Sequence, residues 1–80
     1  MRIDKFLKVS RLLKRRTVAN DAVKGGRVTV NGREVKPAYS LKIGDVVEIR
    51  FGDETVKFKV LSLNPVVKKE DAASLYEIVQ

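Results

Sequence analysis

The segment VTVNGREV, residues 28–35, constrains the fold more than any other stretch of the sequence. Its first three residues alternate between apolar and polar, as expected of a strand with one buried face. Asn31-Gly32 then favours a two-residue turn between antiparallel strands, because both residue types tolerate a positive φ. The segment therefore predicts a tight hairpin, with a return strand over Arg33 to Lys36.

A second, longer hairpin is predicted downstream. Apolar and charged side chains alternate over Val46 to Phe51 and again over Thr55 to Leu63, and Gly52-Asp53-Glu54 supplies the turn between these strands. The tail is predicted to form a short helix around Glu70 to Leu75. An extended piece over Tyr76 to Val79 then ends the chain.

Two short helices are predicted ahead of the first hairpin. Apolar residues at helical spacing place one helix over roughly residues 3 to 12 and a second over roughly residues 16 to 24. Gly25-Gly26 ends the second helix, because glycine readily takes the left-handed conformation that terminates helices. This order of elements predicts an α+β fold, with two to three short helices packed on a small twisted antiparallel sheet.

Positive charge is concentrated in the first half of the chain. The net charge is +7 over 80 residues. Residues 1–36 contain 11 Lys and Arg against 3 Asp and Glu, whereas residues 37–80 contain 6 against 7. This asymmetry favours a surface that faces a polyanion over a general solubility role. Nucleic acid is the first candidate partner, and an anionic membrane surface is the second.

The composition disfavours several other classes of protein. Cys and His are both absent, which removes thiolate metal sites, disulfides and the commonest general base. The acidic residues do not cluster, so we expect no catalysis, no cofactor and no metal. The sequence also lacks the apolar run of about 20 residues that a membrane span needs, and the unbroken apolar core of a secretory signal. A single cytoplasmic domain, residues 1–80, is therefore expected.

Several motifs in one register resemble the S4 (S-four) RNA-binding domain. They are Arg2-Ile3-Asp4-Lys5 in the first helix, Arg16 at the start of the second, Gly26-Arg27-Val28 at its end, Val30-Asn31-Gly32 in the hairpin, and Gly44-Asp45 before the next strand. The resemblance implies an S4-like (alpha-L) RNA-binding core over about residues 1–50 and a short β/α extension over residues 51–80. The start and tail of the chain are similar to those of small free-standing members, the ribosome-associated heat-shock protein group with its ribosome quality-control branch.

The resemblance also implies a function and a set of partners. Members of the quality-control branch bind large ribosomal subunits that still hold peptidyl-tRNA after a stalled ribosome has split. The implied partners are the large ribosomal subunit, large-subunit rRNA in the helix 69 region, peptidyl-tRNA, and the tail-adding factor RqcH, which adds alanine without mRNA. We expect a monomer with no membrane partner.

The predicted RNA-binding residues are cations of the helices and the hairpin, together with one acid. They are Arg2, Asp4, Lys5, Lys8, Arg11, Lys14, Arg15, Arg16, Arg27 and Arg33. Arg16 is the first choice, because a guanidinium grips a phosphate with two parallel hydrogen bonds and a helix amino terminus attracts anions. The alternative is that Arg16 pairs with Asp4 and only joins the two helices.

The remaining cations also have a structural alternative. Arg2, Lys5, Lys8 and Arg11 recur along the first predicted helix and cover a broad flank, which is also the pattern of ordinary exposed helix cations. Lys14 and Arg15 are interpreted as contacts to the RNA backbone, or as part of a solvated loop. In the hairpin, Arg27 and Arg33 bracket the Asn31-Gly32 turn, where they either reach a groove of an A-form stem or only keep the hairpin soluble.

The aromatic residues give little support for recognition of individual RNA bases by stacking. Phe6, Phe51, Phe58 and Tyr76 fall on apolar faces and are predicted to lie in the core, which leaves the loop residue Tyr39 to stack on a base. Recognition by shape and backbone is therefore favoured over recognition of sequence.

Two other functions remain open alternatives. One is a general recycling or heat-shock factor of the large subunit. The other is a protein adaptor whose neutral second half, residues 37–80, docks a partner while its basic half rests on RNA. Exposed edge strands near Thr55 to Leu63 would permit strand addition.

Overall fold

The computed structural model describes residues 1–13, 16–51, 53–64 and 68–79. The elements are, in chain order, helices α1 (Ile3–Val9) and α2 (Arg16–Lys24), strands β1 (Val28–Val30), β2 (Arg33–Glu34), β3 (Val46–Phe51) and β4 (Glu54–Val60), a 3₁₀ helix (Lys69–Leu75), and strand β5 (Tyr76–Ile78). The order of elements matches the prediction.

The strands form one antiparallel sheet in the order β2-β1-β3-β4-β5. Val47 of β3 lies opposite Val30 of β1 on one side and opposite Phe58 of β4 on the other. Because side chains alternate across a sheet, these three residues share the face that the helices cover. The predicted α+β fold is therefore confirmed.

The core lies between the two helices and this face of the sheet. Phe6 of α1 and Phe58 of β4 are fully buried and stack with ring centroids 6.1 Å apart, and Tyr76 meets Phe58 edge-on at 5.5 Å. Such aromatic contacts stabilise a core beyond the area they bury. The prediction that the ring belongs to the core is confirmed for Phe6 and Phe58, and Tyr76 is partly buried and packs against the core. The side chain of Phe51 lies outside the described part of the chain.

The first hairpin turns as its sequence predicts. Asn31 has φ 52° and Gly32 has φ 83°, the two positive values that a type I′ turn requires. The Asn31 side chain also forms two hydrogen bonds. Its Nδ2 donates to Oδ1 of Asp45 at 3.2 Å, and its Oδ1 accepts from the backbone N–H of Val46 at 3.0 Å. The turn is thereby fastened to the start of β3.

Helix α1 is shorter than predicted. It ends at Val9 rather than near residue 12, because Arg11 takes a left-handed backbone with φ 62°. The backbone N–H of Arg11 donates to the carbonyl of Lys8 at 3.0 Å, and that of Leu13 donates to the carbonyl of Leu7 at 3.1 Å. A left-handed residue just after a helix commonly satisfies its last carbonyls, and that residue is usually glycine.

Other boundaries differ by a few residues, and one difference changes an interpretation. Residues Phe58 to Val60 pair with β5, with Phe58 opposite Ile78 and Val60 opposite Tyr76. The expectation of an exposed edge strand near Thr55 to Leu63 is therefore wrong over this part, because the tail returns as a strand and covers it. The predicted tail helix is of the 3₁₀ type.

Candidate nucleic-acid interface

One side of α1 is apolar and buried, and the other carries cations. Successive residues of an α-helix are rotated by about 100°, so Ile3, Phe6 and Leu7 fall together on the side that faces the sheet, where all three are fully buried. Lys5 and Lys8 lie on the opposite side and are exposed. The predicted cationic flank of α1 is confirmed for these two lysines.

Arg2 stands at the amino-terminal cap of α1 and forms an ion pair with Asp4. Its Nη2 lies 3.1 Å from Oδ2 of Asp4. The Arg2 side chain is 48% exposed, whereas the Asp4 side chain is 2% exposed. A buried carboxylate needs hydrogen-bond donors, and the backbone N–H of Lys5 supplies another at 2.8 Å to Oδ1. The pair therefore joins a solvated guanidinium to an acid anchored in the fold.

Asn20 of α2 also contacts this acid. Its Nδ2 donates to Oδ2 of Asp4 at 3.3 Å, across a separation of 16 residues. The same carboxylate oxygen thus receives Arg2 from one side and Asn20 from the other. Sequence reasoning did not single out Asn20, because a lone asparagine inside a helix carries no local signal of its partner.

Three of the predicted contact residues lie on the segment around the start of α2. Lys14 and Arg15 lie outside the described residues. Arg16 is the first residue of α2, as predicted, but its side chain is not among those described. Its predicted phosphate contact and its alternative pairing with Asp4 both stay predictions.

Arg11 occupies a different position from the one predicted. The sequence places it on the flank of α1, but the helix ends at Val9 and Arg11 follows in a left-handed turn. Its side chain is exposed. The turn therefore presents this cation just beyond the carboxyl end of α1 rather than in line with Lys5 and Lys8.

Arg27 and Arg33 do not bracket the Asn31-Gly32 turn as predicted. Arg33 opens β2 directly after the turn and pairs with Val30, whereas Arg27 precedes β1 at the far end of the hairpin. Three residues of strand separate Arg27 from the turn, a rise of about 10 Å. An added Cβ at Gly25 would lie 3.5 Å from Nε of Arg27, so this side chain extends over the end of α2.

Five exposed cations of this region have no acidic partner among the described residues. Among the side chains that the structure describes, the Arg2–Asp4 pair is the only ion pair. Lys5, Lys8, Arg11, Arg27 and Arg33 are all exposed without one. Such cations are available to neutralise phosphates, and binding then releases the counterions of the nucleic acid.

The face of the sheet away from the helices has a different charge pattern. Glu48 lies directly opposite Lys57, and Lys59 lies directly opposite Glu77. Cross-strand pairs of opposite charge stabilise a sheet, and they also leave this open sheet face close to neutral. The side that carries α1 is therefore the better candidate for a polyanion.

Tyr39 is half-buried and packs against the core. Its carbonyl accepts the backbone N–H of Ile3 at 2.8 Å, and its own N–H donates to the carbonyl of Lys36 at 2.9 Å. The first bond fastens the loop between β2 and β3 to the start of α1, and the second lies within this loop. The prediction that the ring stacks on a base is untested by this arrangement.

Comparison with known proteins identifies the family. The model of the S4 domain family matches residues 1–47 of this chain. The chain belongs to this family. The S4 domain thus contains α1, α2 and the first hairpin, and every predicted contact residue falls within its range.

Two relatives are similar to this chain over nearly its whole length. The chain is similar to the "RQC P-site tRNA stabilizing factor" of Streptococcus pneumoniae, with 53% identity over 79 residues that cover 99% of this chain and 90% of the relative. It is also similar to the "Heat shock protein 15 homolog" of Aeromonas salmonicida, with 31% identity over 94% of this chain and 57% of the relative.

A solved structure confirms the fold. The trimeric heat shock protein 15 of Vibrio cholerae superposes with a TM-score of 0.91 and is 30% identical, covering 99% of this chain and 81% of that one. The S4-like architecture and its small-protein extension are therefore shared along nearly the whole chain.

Proposed function

We propose that this S4 protein is a non-catalytic RNA-binding factor of ribosome quality control. It binds rRNA and tRNA on large ribosomal subunits that carry peptidyl-tRNA, and it acts in the cytoplasm. The observation that carries the proposal is the similarity, at 53% identity over 99% of this chain, to a relative whose name describes stabilisation of P-site tRNA. The exposed cations that have no acidic partner among the described side chains of the S4 domain support it, because they suit contact with RNA phosphates.

In finer detail, we propose that the protein supports the addition of alanine to the carboxyl end of the stalled chain, without mRNA. The partners are then the helix 69 region of large-subunit rRNA, the peptidyl-tRNA beside it, and the tail-adding factor RqcH. The protein contributes binding energy rather than chemistry, since no His or Cys is present in the sequence.

A second candidate is a recycling or heat-shock factor that binds large subunits without supporting tail addition. It is favoured by the similarity to heat shock protein 15, both in sequence and in structure. The two candidates share an RNA surface and differ in whether alanine tails depend on the protein.

The proposal is tested by recovering the tagged protein from a cell lysate and sequencing the RNA that copurifies. We expect large-subunit rRNA and tRNA, depleted of small-subunit rRNA. The Arg16→Ala variant should lose both RNAs, whereas the matched variant Lys57→Ala, on the open sheet face opposite Glu48, should retain them. Equal amounts of the two subunits' rRNAs, or RNA recovery unaffected by Arg16→Ala, would contradict the quality-control function.

The finer proposal needs a second measurement. Alanine tails on a reporter chain that stalls should disappear when the gene is deleted and return when the wild-type protein is supplied. If large-subunit association is intact but tails persist without the protein, the recycling function is the correct one.

A further inference from the structure

Asn20 and Arg2 share one oxygen atom of a buried acid. Arg2 Nη2 lies 3.1 Å from Oδ2 of Asp4, and Asn20 Nδ2 lies 3.3 Å from the same atom. The second oxygen, Oδ1, accepts the backbone N–H of Lys5 at 2.8 Å. Both oxygens of the carboxylate are therefore held by described donors, one of them from the neighbouring helix.

The exposure of the three side chains sets their roles. Asp4 is 1% exposed and Asn20 is half-buried, whereas the Arg2 side chain is 48% exposed. Within the described part of the chain, the Arg2 guanidinium has its hydrogen bond to Asp4 and no other. Its Nε and Nη1 groups are thus available to donate hydrogen bonds to an acceptor outside the protein. A guanidinium presents a fixed, planar set of donors to such an acceptor.

The chemistry of Asn20 suits the orientation of a charged pair. An amide donates a hydrogen bond without carrying charge. Asn20 therefore helps to hold the carboxylate in place without itself adding a positive charge beside Arg2. A lysine or arginine at this position would compete with Arg2 for that charge.

We propose that Asn20 is a positioning residue for Arg2. It holds Oδ2 of Asp4, and through this atom it orients the guanidinium so that Nε and Nη1 face an RNA phosphate. This role rests on the proposed function, because the phosphate is that of the bound RNA. It adds a residue of α2 that no motif in the sequence indicates.

The test uses Asn20→Leu, which keeps the branched shape and the number of heavy atoms of the side chain and removes its donor. Affinity is measured for a synthetic stem-loop with the sequence of large-subunit rRNA helix 69, by fluorescence anisotropy. We expect Asn20→Leu to weaken binding by about 3-fold to tenfold, because Arg2 must then be ordered when RNA binds. In an Arg2→Ala background the same substitution should have no further effect. Lys5→Ala, which removes a cation but not its backbone N–H, should weaken binding equally with and without Asn20→Leu.

A second measurement needs no RNA. In the free protein, the Nε–H group of Arg2 should show an NMR order parameter that falls in Asn20→Leu while melting remains cooperative. Asn20→Ala serves as a second variant if the leucine disturbs packing.

The outcomes separate the two proposals. An order parameter for Arg2 that is unchanged, or a loss of affinity that is equal with and without Arg2, would overturn the positioning role. Failure of the wild-type protein to bind the stem-loop or purified large subunits, together with a fall in the Arg2 order parameter, would overturn the proposed function and leave the orientation of Arg2 by Asn20 supported.

Discussion

Replacing Arg11 with glycine should stabilise the protein and weaken its binding to RNA. Arg11 has φ 62°, and its side chain is exposed. A left-handed backbone costs an L-residue about 1–2 kcal/mol. Glycine escapes this cost but loses about 0.5–1 kcal/mol more in chain entropy on folding. The midpoints of these two ranges differ by about 0.75 kcal/mol, which is the expected net gain in the free energy of unfolding.

The two effects are measured separately. In a domain of this size about 1 kcal/mol moves Tm by roughly 4–8 °C, so the Arg11→Gly variant should melt about 3–6 °C higher, as followed by circular dichroism. Its affinity for the helix 69 stem-loop should fall. The slope of log affinity against log salt should become shallower by about 0.7 if one phosphate contact is lost.

Asn31 provides the matched control. It also has a positive φ, 52°, but its side chain bonds Asp45 and the backbone of Val46. Asn31→Gly should therefore fail to raise Tm, because the relief of backbone strain is offset by two lost hydrogen bonds. A lower Tm in Arg11→Gly than in the wild type would refute the reasoning, since it would show that the Arg11 side chain stabilises the fold.

Three further changes test the packing, the turns and the charge of the molecule. Phe58→Ala should lower the free energy of unfolding in urea by about 3–5 kcal/mol, since the ring is fully buried against Phe6; a loss below 1 kcal/mol would contradict this packing. Gly26→Ala should lower the free energy of unfolding by about 1–2 kcal/mol in a Glu34→Ala background, because the φ of Gly26 is 73°. In the wild-type background the decrease should be larger, because the new Cβ would lie 2.6 Å from Oε1 of Glu34. An equal decrease in both backgrounds would show that the Glu34 side chain moves aside freely. If about six cations contact phosphates, the log–log salt slope of RNA binding should be about −4 to −5, and a slope near zero would exclude the electrostatic interface.

The parts of the fold that the sequence predicted are those determined by local chemistry. The Asn31-Gly32 turn was predictable because only a few residue types accept two successive positive φ values. The end of α2 was predictable because two glycines follow it. The end of α1 was not, since an arginine stands where a glycine usually terminates a helix, and its side chain gives no sign of a left-handed backbone.

The candidate site was predicted in its composition but not in its arrangement. The cations of α1 were identifiable from their spacing. The contact between Asp4 and Asn20 was not, because it depends on how α1 packs beside α2, over a separation of 16 residues. Arg27 was predicted at the wrong end of the hairpin for a similar reason, since only the strand register shows which end of the hairpin a residue occupies.

The charge-balanced outer face of the sheet has a consequence for the kinetics of association. Glu48 opposite Lys57 and Lys59 opposite Glu77 cancel locally, whereas Lys5 and Lys8 on α1 are unopposed. The molecule is therefore an electric dipole whose positive end is the helical side. In the field of a ribosomal subunit such a dipole rotates before contact, so that most encounters begin in one orientation. By remaining neutral, the outer face of the sheet thus raises the rate of association. This contribution vanishes as salt shortens the range of the field.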